Sequence, residues 1–145
     1  MRLIVAGSRD CKDKQIIREA ILKGLEELDI KPTIMIHGDA AGVDKISGEI
    51  CKEMGFNIVK YPAKWKDIAG KDPKYIKVNT YGKYYTKAGI ERNELMAQNA
   101  DALIAINLGT SGTENMIQLA YKYKLKVYVY EPNAEEAYGI NFWDE

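Results

Sequence analysis

The sequence predicts an α/β fold with a mainly parallel sheet of about five strands. Short apolar runs indicate strands buried on both faces, and they alternate along the chain with stretches whose apolar residues recur at helical spacing. Three of these runs lead through a glycine-bearing turn into a helix. The chain has 145 residues, of which 46% are hydrophobic, so we expect one domain over residues 1–145 with an ordinary core.

The first half of the chain supplies three strands and two helices. Lys31-Pro32 separates the first helix from the second strand, Gly55 ends the second helix, and Pro62 closes the third strand. We expect strands at residues 3–6, 33–36 and 56–61, and amphipathic helices at 13–28 and 43–54.

The second half repeats the alternation after a long interruption. Residues 101–106 and 125–130 are apolar runs that indicate the fourth and fifth strands. The stretches at 88–99 and 113–124 have the apolar spacing of helices. The remaining residues, 131–145, form an acidic tail with five acidic residues and no lysine or arginine, and we expect it to fold back on the domain.

The first glycine turn, residues 7–10, follows the first strand directly. Gly7 suits a tight turn, Ser8 brings a small donor, and the free N–H groups at the start of the next helix attract anions. The turn is therefore typical of a phosphate-binding loop, although a plain connection between strand and helix has the same glycine.

The second glycine turn (residues 37–44) and the third (107–115) occupy equivalent positions. The third carries backbone N–H groups and three hydroxyls at a helix start, from Thr110, Ser111 and Thr113, which suits a phosphate or a ribose. Ligands of parallel α/β sheets bind outside the carboxyl ends of the strands, so the three turns predict one site. Two residues of the second turn also have structural interpretations: His37 as a hydrogen-bond donor with a structural role rather than a base, and Asp44 as a favourable charge at a helix N-terminus.

The basic aromatic segment, residues 61–90, has neither helical nor strand periodicity over its main part. It contains seven lysines and two aspartates, for a net charge of +5, and residues 63–86 interleave the lysines with Trp65 and with tyrosines at 75, 81, 84 and 85. A loop of this length is usually functional or disordered, and its aromatic content favours function. We interpret it as a lid or partner surface, with packing on its own aromatic rings or an oligomer contact as the alternative.

Charge and composition narrow the function classes. The formal net charge is zero, which disfavours a general binder of polyanions, and no apolar run is long enough to span a membrane. We therefore expect a cytoplasmic protein without membrane partners. Cys11 and Cys51 share no metal-ligand spacing with His37, the single histidine, so we expect reduced thiols and no structural metal.

Four motifs in this order resemble the SMF/LOG (SLOG) superfamily. They occupy residues 5–10, 37–44, 91–96 and 109–116, and they are similar in particular to the small stand-alone branch related to the YspA and YpsA proteins. The resemblance covers about residues 2–130, with 61–90 the least matched part. Four motifs in register are more specific than any one of them.

The resemblance implies a Rossmann-like three-layer sandwich that binds a nucleotide or nucleotide-derived ligand across the strand ends. It implies no required cofactor and a homo-oligomer, since relatives with this fold often self-associate. Carried over by position, and with His37, Asn93 and Ser111 added from the same motifs, the ligand-binding residues are Gly7, Ser8, Arg9, His37, Gly38, Gly42, Asp44, Arg92, Asn93, Gly109, Thr110, Ser111, Gly112 and Thr113.

One branch of the superfamily, the LOG phosphoribohydrolases, cleaves the N-glycosidic bond of nucleoside monophosphates. Similarity to that branch implies Glu114 and Arg92 as a catalytic pair. However, the branch has Pro-Gly-Gly-x-Gly-Thr-x-x-Glu, whereas here Glu114 directly follows Thr113. A two-residue offset turns a helical side chain by roughly 200°, so the resemblance alone does not imply that Glu114 points where the hydrolase acid points.

Three functions from different classes follow. The first is a binding or sensing module for a nucleotide or nucleotide-derived ligand. The second is an N-glycosidic-bond hydrolase or a nucleoside transferase, in which Glu114, Asp44 or Asp39 activates water or stabilises the ribose while Arg92 holds phosphate. The third is a binder of single-stranded nucleic acid, which the basic aromatic segment alone supports.

Overall fold

The computed structural model describes residues 1–132. Outside the basic aromatic segment, strands and helices alternate in the predicted order. In chain order the elements are β1 (Arg2–Gly7), α1 (Lys14–Leu28), β2 (Ile34–His37), α2 (Val43–Glu53), β3 (Asn57–Lys60), a 3₁₀ helix (Pro73–Tyr75), β4 (Ile76–Asn79), β5 (Gly82–Tyr85), α3 (Ala88–Gln98), β6 (Ala102–Ile106), α4 (Ser111–Lys122) and β7 (Lys126–Tyr130).

The main sheet has five parallel strands in the order β3-β2-β1-β6-β7. β1 lies at its centre, where Leu3 pairs with Met35 of β2 on one side and with Ala102 of β6 on the other. The predicted α/β fold with a parallel sheet of about five strands is therefore confirmed.

Alternation along the strands divides the core into two layers. Leu3 and Val5 of β1 face one layer with the buried residues of α1 and α2. Ile4 and Ala6 face the other layer, where Met96 of α3 and Met116 of α4 are buried. Each face of the sheet therefore carries two helices, and this completes the three-layer sandwich.

The helix boundaries follow local chemistry. Asp13 caps α1 because its carboxylate accepts hydrogen bonds from the N–H groups of Gln15 and Ile16, at 3.0 and 3.2 Å. Asp29 ends the helix in a left-handed conformation with φ of 50°. Its N–H group bonds the carbonyls of Glu26 and Leu25.

The basic aromatic segment is more regular than the sequence predicts. It contains the 3₁₀ helix and an antiparallel hairpin, in which β4 pairs with β5 from Ile76 opposite Tyr85 to Asn79 opposite Gly82. The prediction of a loop without regular structure is wrong here. Of the hairpin side chains only Tyr85 is buried, so the strands lack the apolar alternation by which strands are recognised.

Three further observations complete the fold. Cys11 and Cys51 are free thiols buried in the α1/α2 layer. No helix within residues 1–132 combines the length and the apolar character that crossing a membrane requires. The predicted acidic tail lies outside the described residues from position 133 onward, so its folding back on the domain stays a prediction.

Candidate functional site

A cleft of about 510 Å³ opens at the carboxyl edge of the sheet, around the end of β1. The chain first builds the sheet outward from β1 through β2 to β3 and then returns to add β6 on the other side. Such a reversal of strand order leaves a crevice outside the strand ends, which is where parallel α/β sheets bind ligands. The cleft lies at this position.

Most of the residues predicted for the site line this cleft. Those that line it are Gly7, Ser8, Arg9, Asp44, Arg92, Asn93, Thr110, Ser111, Gly112 and Thr113. The predicted residues that do not line it are His37, Gly38, Gly42, Gly109 and Glu114. All three glycine turns thus contribute to one cavity, although not through every glycine.

Two glycines of the second turn allow the cleft wall to close up. A Cβ atom on Gly38 would lie 2.6 Å from Cζ of Arg92 and 2.8 Å from Oδ2 of Asp44, so the missing side chain makes room for both. Gly42 has φ of +74°, and a Cβ there would lie 2.6 Å from the backbone of both Ser8 and Arg9. Gly42 thus allows the first and second turns to pack together, and Gly38 makes room for Arg92 of α3.

Arg92 of α3 is held in place by carbonyl and amide oxygens. Its Nη1 donates to the carbonyl of Gly38 at 2.6 Å and to that of Tyr61 at 3.3 Å, and its Nε donates to Oδ1 of Asn93 at 2.8 Å. Burial lowers the pKa of Arg92, and the nearby Asp44 raises it. Nη2 has no hydrogen-bond partner in the described part of the chain, so it remains able to donate to a ligand.

Asp44 places a carboxylate in the wall of the cleft. It lies in the first turn of α2, is 7% exposed, and accepts the N–H group of Ala40 at 3.2 Å. Burial raises the pKa of Asp44 to about 6, against the lowering effects of the Ala40 hydrogen bond and of the Arg92 charge. A carboxyl group that titrates near neutrality in a cleft is a functional-site feature.

The start of α4 forms the opposite wall. Asn93 of α3 is hydrogen-bonded to this wall, because the Asn93 Nδ2 donates to Oδ1 of Asn115 at 3.0 Å and to the carbonyl of Gly112 at 3.4 Å. The hydroxyls of Thr110 and Thr113 lie 2.8 Å apart. The first N–H groups of a helix have no partner within it, and the helix dipole favours negative charge there. This wall therefore suits an anion.

Glu114 points away from the cleft. Its Oε1 accepts a hydrogen bond from Nδ2 of Asn107 at 3.0 Å, on the exposed side of α4. This orientation agrees with the offset of Glu114 from the hydrolase motif. Glu114 and Arg92, the predicted catalytic pair, are not brought together across the cleft.

His37 lies beneath a second groove, beside β3. Its Nδ1 accepts the N–H group of Asp39 at 2.9 Å, and a Cβ on Gly48 of α2 would lie 2.7 Å from its Nε2. Burial lowers the pKa of His37 to about 4, so the ring is neutral at physiological pH. These contacts match the interpretation of His37 as a structural residue, although as a hydrogen-bond acceptor toward the backbone.

The basic aromatic segment supplies the outer rim of the cleft. The Trp65 ring lines the cavity, packs edge-on against Tyr84, and lies beneath the Arg9 guanidinium at 5.9 Å. A Cβ on Gly89 would lie 3.1 Å from the same ring, so the start of α3 lies against it. An aromatic face and a cation thus lie together at the mouth of the cleft.

Several cleft residues were not among the predicted site residues. They are Ala6, Asp10, Ala40, Trp65, Thr86, Gly89, Ile90, Met96, Asn115 and Met116. The aromatic character of the segment was a signal for Trp65, and Asn115 belongs to the third glycine turn. No sequence pattern indicated that Thr86, Gly89 and Ile90 would lie beside the first glycine turn.

Comparisons with known proteins address the family and the fold. Residues 1–67 match the model of the YspA, cpYpsA-related SLOG family. A search of curated proteins found no match. Among solved structures, DNA processing protein A from Helicobacter pylori has a similar fold, with a TM-score of 0.57, 18% identity, and coverage of 94% of this chain and 68% of that one.

The Helicobacter protein binds single-stranded DNA, and its structure was solved to explain how. At 18% identity the likeness shows the shared fold and nothing about a shared ligand. The family match covers the first two glycine turns and extends through Trp65. Over residues 1–67, the resemblance of this chain to the YspA- and YpsA-related SLOG family is thus confirmed.

Proposed function

We propose that this chain binds a nucleotide or a nucleotide-derived ligand in the cleft at the end of β1. The observation that carries the proposal is the convergence of the α4 N-terminus, Arg9 and Arg92 on one cavity whose rim is the Trp65 ring. Helix N–H groups and guanidinium groups bind phosphate, and an aromatic face stacks on a base. The SLOG resemblance supports the same class of ligand.

Arg9 offers the most direct test, because its side chain forms no hydrogen bond within the described residues and its guanidinium lies 5.9 Å from the centre of the Trp65 ring. We expect Arg9→Ala to weaken nucleotide binding at least about 10-fold, which is the contribution of one charge-assisted hydrogen bond. The measurement is calorimetric titration with a panel of nucleoside mono- and diphosphates.

Arg18→Ala is the matched control, because it removes the same charge from the exposed face of α1. There the Arg18 side chain pairs with Glu53 at 3.2 Å. The nucleotide affinity of Arg18→Ala should equal that of the wild type. If both variants bind nucleotides like the wild type, the site lies elsewhere. If the wild type binds none of them and co-purifies with none in native mass spectrometry, the proposed function fails.

Gly112 tests the phosphate-binding wall. No atom lies within 4 Å of a Cβ placed there, so a side chain at this position leaves the fold intact. Gly112→Asp adds a negative charge beside the proposed phosphate and should weaken nucleotide binding at least about 10-fold. Gly112→Asn has nearly the same shape without the charge and should bind more tightly than the Asp variant. Equal affinities would show that no anion lies at this wall.

Single-stranded nucleic acid is a second candidate ligand, favoured by the basic aromatic segment. Tyr84 lies beside Trp65 and opposite Lys77 across the hairpin, and Tyr81 at the tip is 84% exposed. Aromatic rings interleaved with lysines bind single strands, and the fold neighbour from Helicobacter pylori binds single-stranded DNA.

The test is the salt dependence of oligonucleotide binding. Replacing Lys64, Lys66, Lys74 and Lys77 by glutamine should weaken binding and flatten the salt dependence if the strand follows this segment. Unchanged binding and slope would contradict this candidate. Self-association, which the sequence also leads us to propose, is measured on the same samples by light scattering.

A further inference from the structure

Asp44 presents to the cleft a carboxylate whose hydrogen-bonding capacity the protein uses only in part. It lies in the first turn of α2, is 7% exposed and lines the cavity. We propose that Asp44 selects ligands with a free ribose, because its carboxylate accepts hydrogen bonds from the neighbouring 2′- and 3′-hydroxyls. The inference rests on the proposed function and names the class of nucleotide that the cleft takes.

The protein's own donors to this carboxylate are backbone groups. The N–H group of Ala40 donates to Oδ2 of Asp44 at 3.2 Å. Burial raises the pKa of Asp44 to about 6, and the hydrogen bonds from Ala40 and Gly38 oppose that rise. Within residues 1–132 no side chain donates a hydrogen bond to Asp44. An ionised carboxylate has about four acceptor positions, so two backbone donors leave room for the two hydroxyls of one sugar.

The charges around Asp44 favour a neutral donor. Arg92 from α3 and Arg9 from the first glycine turn both act on Asp44 as positive charges. Neither forms a salt bridge with it in the described part of the chain, so the carboxylate stays open to a ligand. The two guanidinium groups repel a cation at this position, and the carboxylate repels a phosphate. Hydroxyl groups donate hydrogen bonds without carrying charge, so a sugar suits this position better than an ion.

The rest of the cleft suits the other two parts of a nucleotide. The N-terminus of α4 and Arg9 attract the phosphate, and the Trp65 ring at the rim suits the base. The sugar connects these two groups and so lies between them. α2 and α4 pack on opposite faces of the sheet, and their first turns both line the cavity at the end of β1. Asp44 therefore approaches a bound sugar from the α2 side.

The inference also separates the two candidate ligands. DNA lacks the 2′-hydroxyl, by which proteins distinguish RNA from DNA. Inside any nucleic-acid strand the 3′-oxygen is esterified, so the paired hydroxyls exist only on a free nucleotide or at a strand end. A cleft in which Asp44 binds both hydroxyls therefore takes free ribonucleotides, whereas the interior of a DNA strand offers Asp44 no hydroxyl donor.

The experiment compares ribonucleotides with their 2′-deoxy and arabino counterparts by calorimetric titration, at a pH above the pKa of Asp44. The wild type should bind the 2′-deoxynucleotide at least about 10-fold more weakly, because its loss leaves a buried acceptor without a donor. The arabinonucleotide, whose 2′-hydroxyl points to the other face of the sugar, should also bind more weakly. In Asp44→Asn, which lacks the charge and one acceptor oxygen, the ribose and deoxyribose affinities should differ by no more than about threefold.

Asp39→Asn is the matched control, because Asp39 belongs to the same glycine turn but lines the second groove rather than the cleft. It should prefer ribose as strongly as the wild type does.

The wild type alone decides the inference if Asp44→Asn does not fold. Equal wild-type affinities for ribo- and 2′-deoxynucleotides would overturn the inference and leave the proposed function standing, whereas a wild type that binds no nucleotide would remove the proposed function itself. A folded Asp44→Asn variant with an unchanged preference for ribose would show that another residue binds the hydroxyls, and would also overturn the inference.

Discussion

The buried wall of the cleft and its outer rim are built differently. The wall formed by the second glycine turn is buried, and its backbone touches that of the first turn at Gly42 while Arg92 fills the space beside Gly38. The rim formed by the basic aromatic segment is largely exposed. Within the rim, the N–H group of Tyr85 donates to the Trp65 carbonyl at 2.7 Å.

Side-chain contacts join the segment to α3 and also stabilise it internally. The Tyr85 hydroxyl donates to Glu91 at 2.7 Å, and Lys87 lies 3.9 Å from the centre of the Tyr75 ring. Exposed cation–π contacts contribute about 0.5–1 kcal/mol each, far less than close packing of buried backbone. Changes in the buried wall should therefore alter stability and function together, and changes in the rim should alter function alone.

The largest effect is expected for Gly42→Ala, which tests the buried wall. The new Cβ would overlap the Ser8 and Arg9 backbone at a positive φ, and we expect a loss of about 3 kcal/mol in the free energy of unfolding. Gly82→Ala in the hairpin is the matched control. It also has a positive φ, but no atom lies within 4 Å of its Cβ, so strain alone should cost about 1 kcal/mol. Equal losses in urea denaturation would contradict the comparison.

Asp44 and His37 should give opposite pH dependences of stability. The pKa of Asp44 is raised from 3.8 to about 6, so its contribution to stability falls as pH rises from 4 to 6. The pKa of His37 is lowered from 6.5 to about 4, so its contribution is lost as pH falls through that range. Each contribution amounts to about 2–3 kcal/mol, and in the wild type they oppose each other.

Single substitutions separate these two contributions. Compared with the wild type, Asp44→Asn should lose stability more steeply as pH falls from 6.5 to 4, and His37→Asn should lose it less steeply. Denaturation midpoints at half-unit pH intervals provide the measurement, with the double variant as control. Curves parallel to the wild type would show that neither group titrates abnormally.

Arg92→Lys tests the hydrogen bonds by which Arg92 of α3 holds the buried wall. A lysine cannot reproduce the donors that reach Gly38, Tyr61 and Asn93, so we expect a loss of about 2 kcal/mol in stability. Thermal unfolding measures it, and nucleotide affinity should fall in the same variant. Wild-type stability with normal affinity would mean that these hydrogen bonds do not position the site.

Trp65→Ala should have the smallest effect on stability, because the ring belongs to the rim. We expect a loss of no more than about 1 kcal/mol from the contact with Arg9, together with a 3- to 10-fold loss of nucleotide affinity as base stacking disappears. Tyr81→Phe at the hairpin tip, a conservative change outside the cleft, should leave both unchanged. A large loss of stability in Trp65→Ala would place the segment in the core.

Local patterns predicted the sheet well because its strands are buried on both faces. β6 shows this plainly, since all five of its residues are buried and all are apolar. The hairpin was not predicted because its side chains are mostly exposed and show no apolar alternation. Its turn left one local signal, the Gly82 that adopts φ of +107°.

The candidate site was predictable where it follows from strand ends. The three glycine turns meet because parallel strands end at one edge. Glu114, a predicted catalytic residue, does not line the cleft. Trp65 beside Gly89 was not predictable, since the two are brought together by the hairpin between them. His37 lies outside the cleft because its side chain packs against Gly48 of α2.

The central position of β1 also affects how the chain folds. β1 is the first strand made, yet one of its two neighbours is β6, and Arg2 bonds to Asp101, 99 residues further along. Pairing across such a sequence separation is slow, because loop closure must precede it. Until residue 106 has emerged from the ribosome, a strand whose four central residues are apolar has an open edge, which is the kind of surface that chaperones cover.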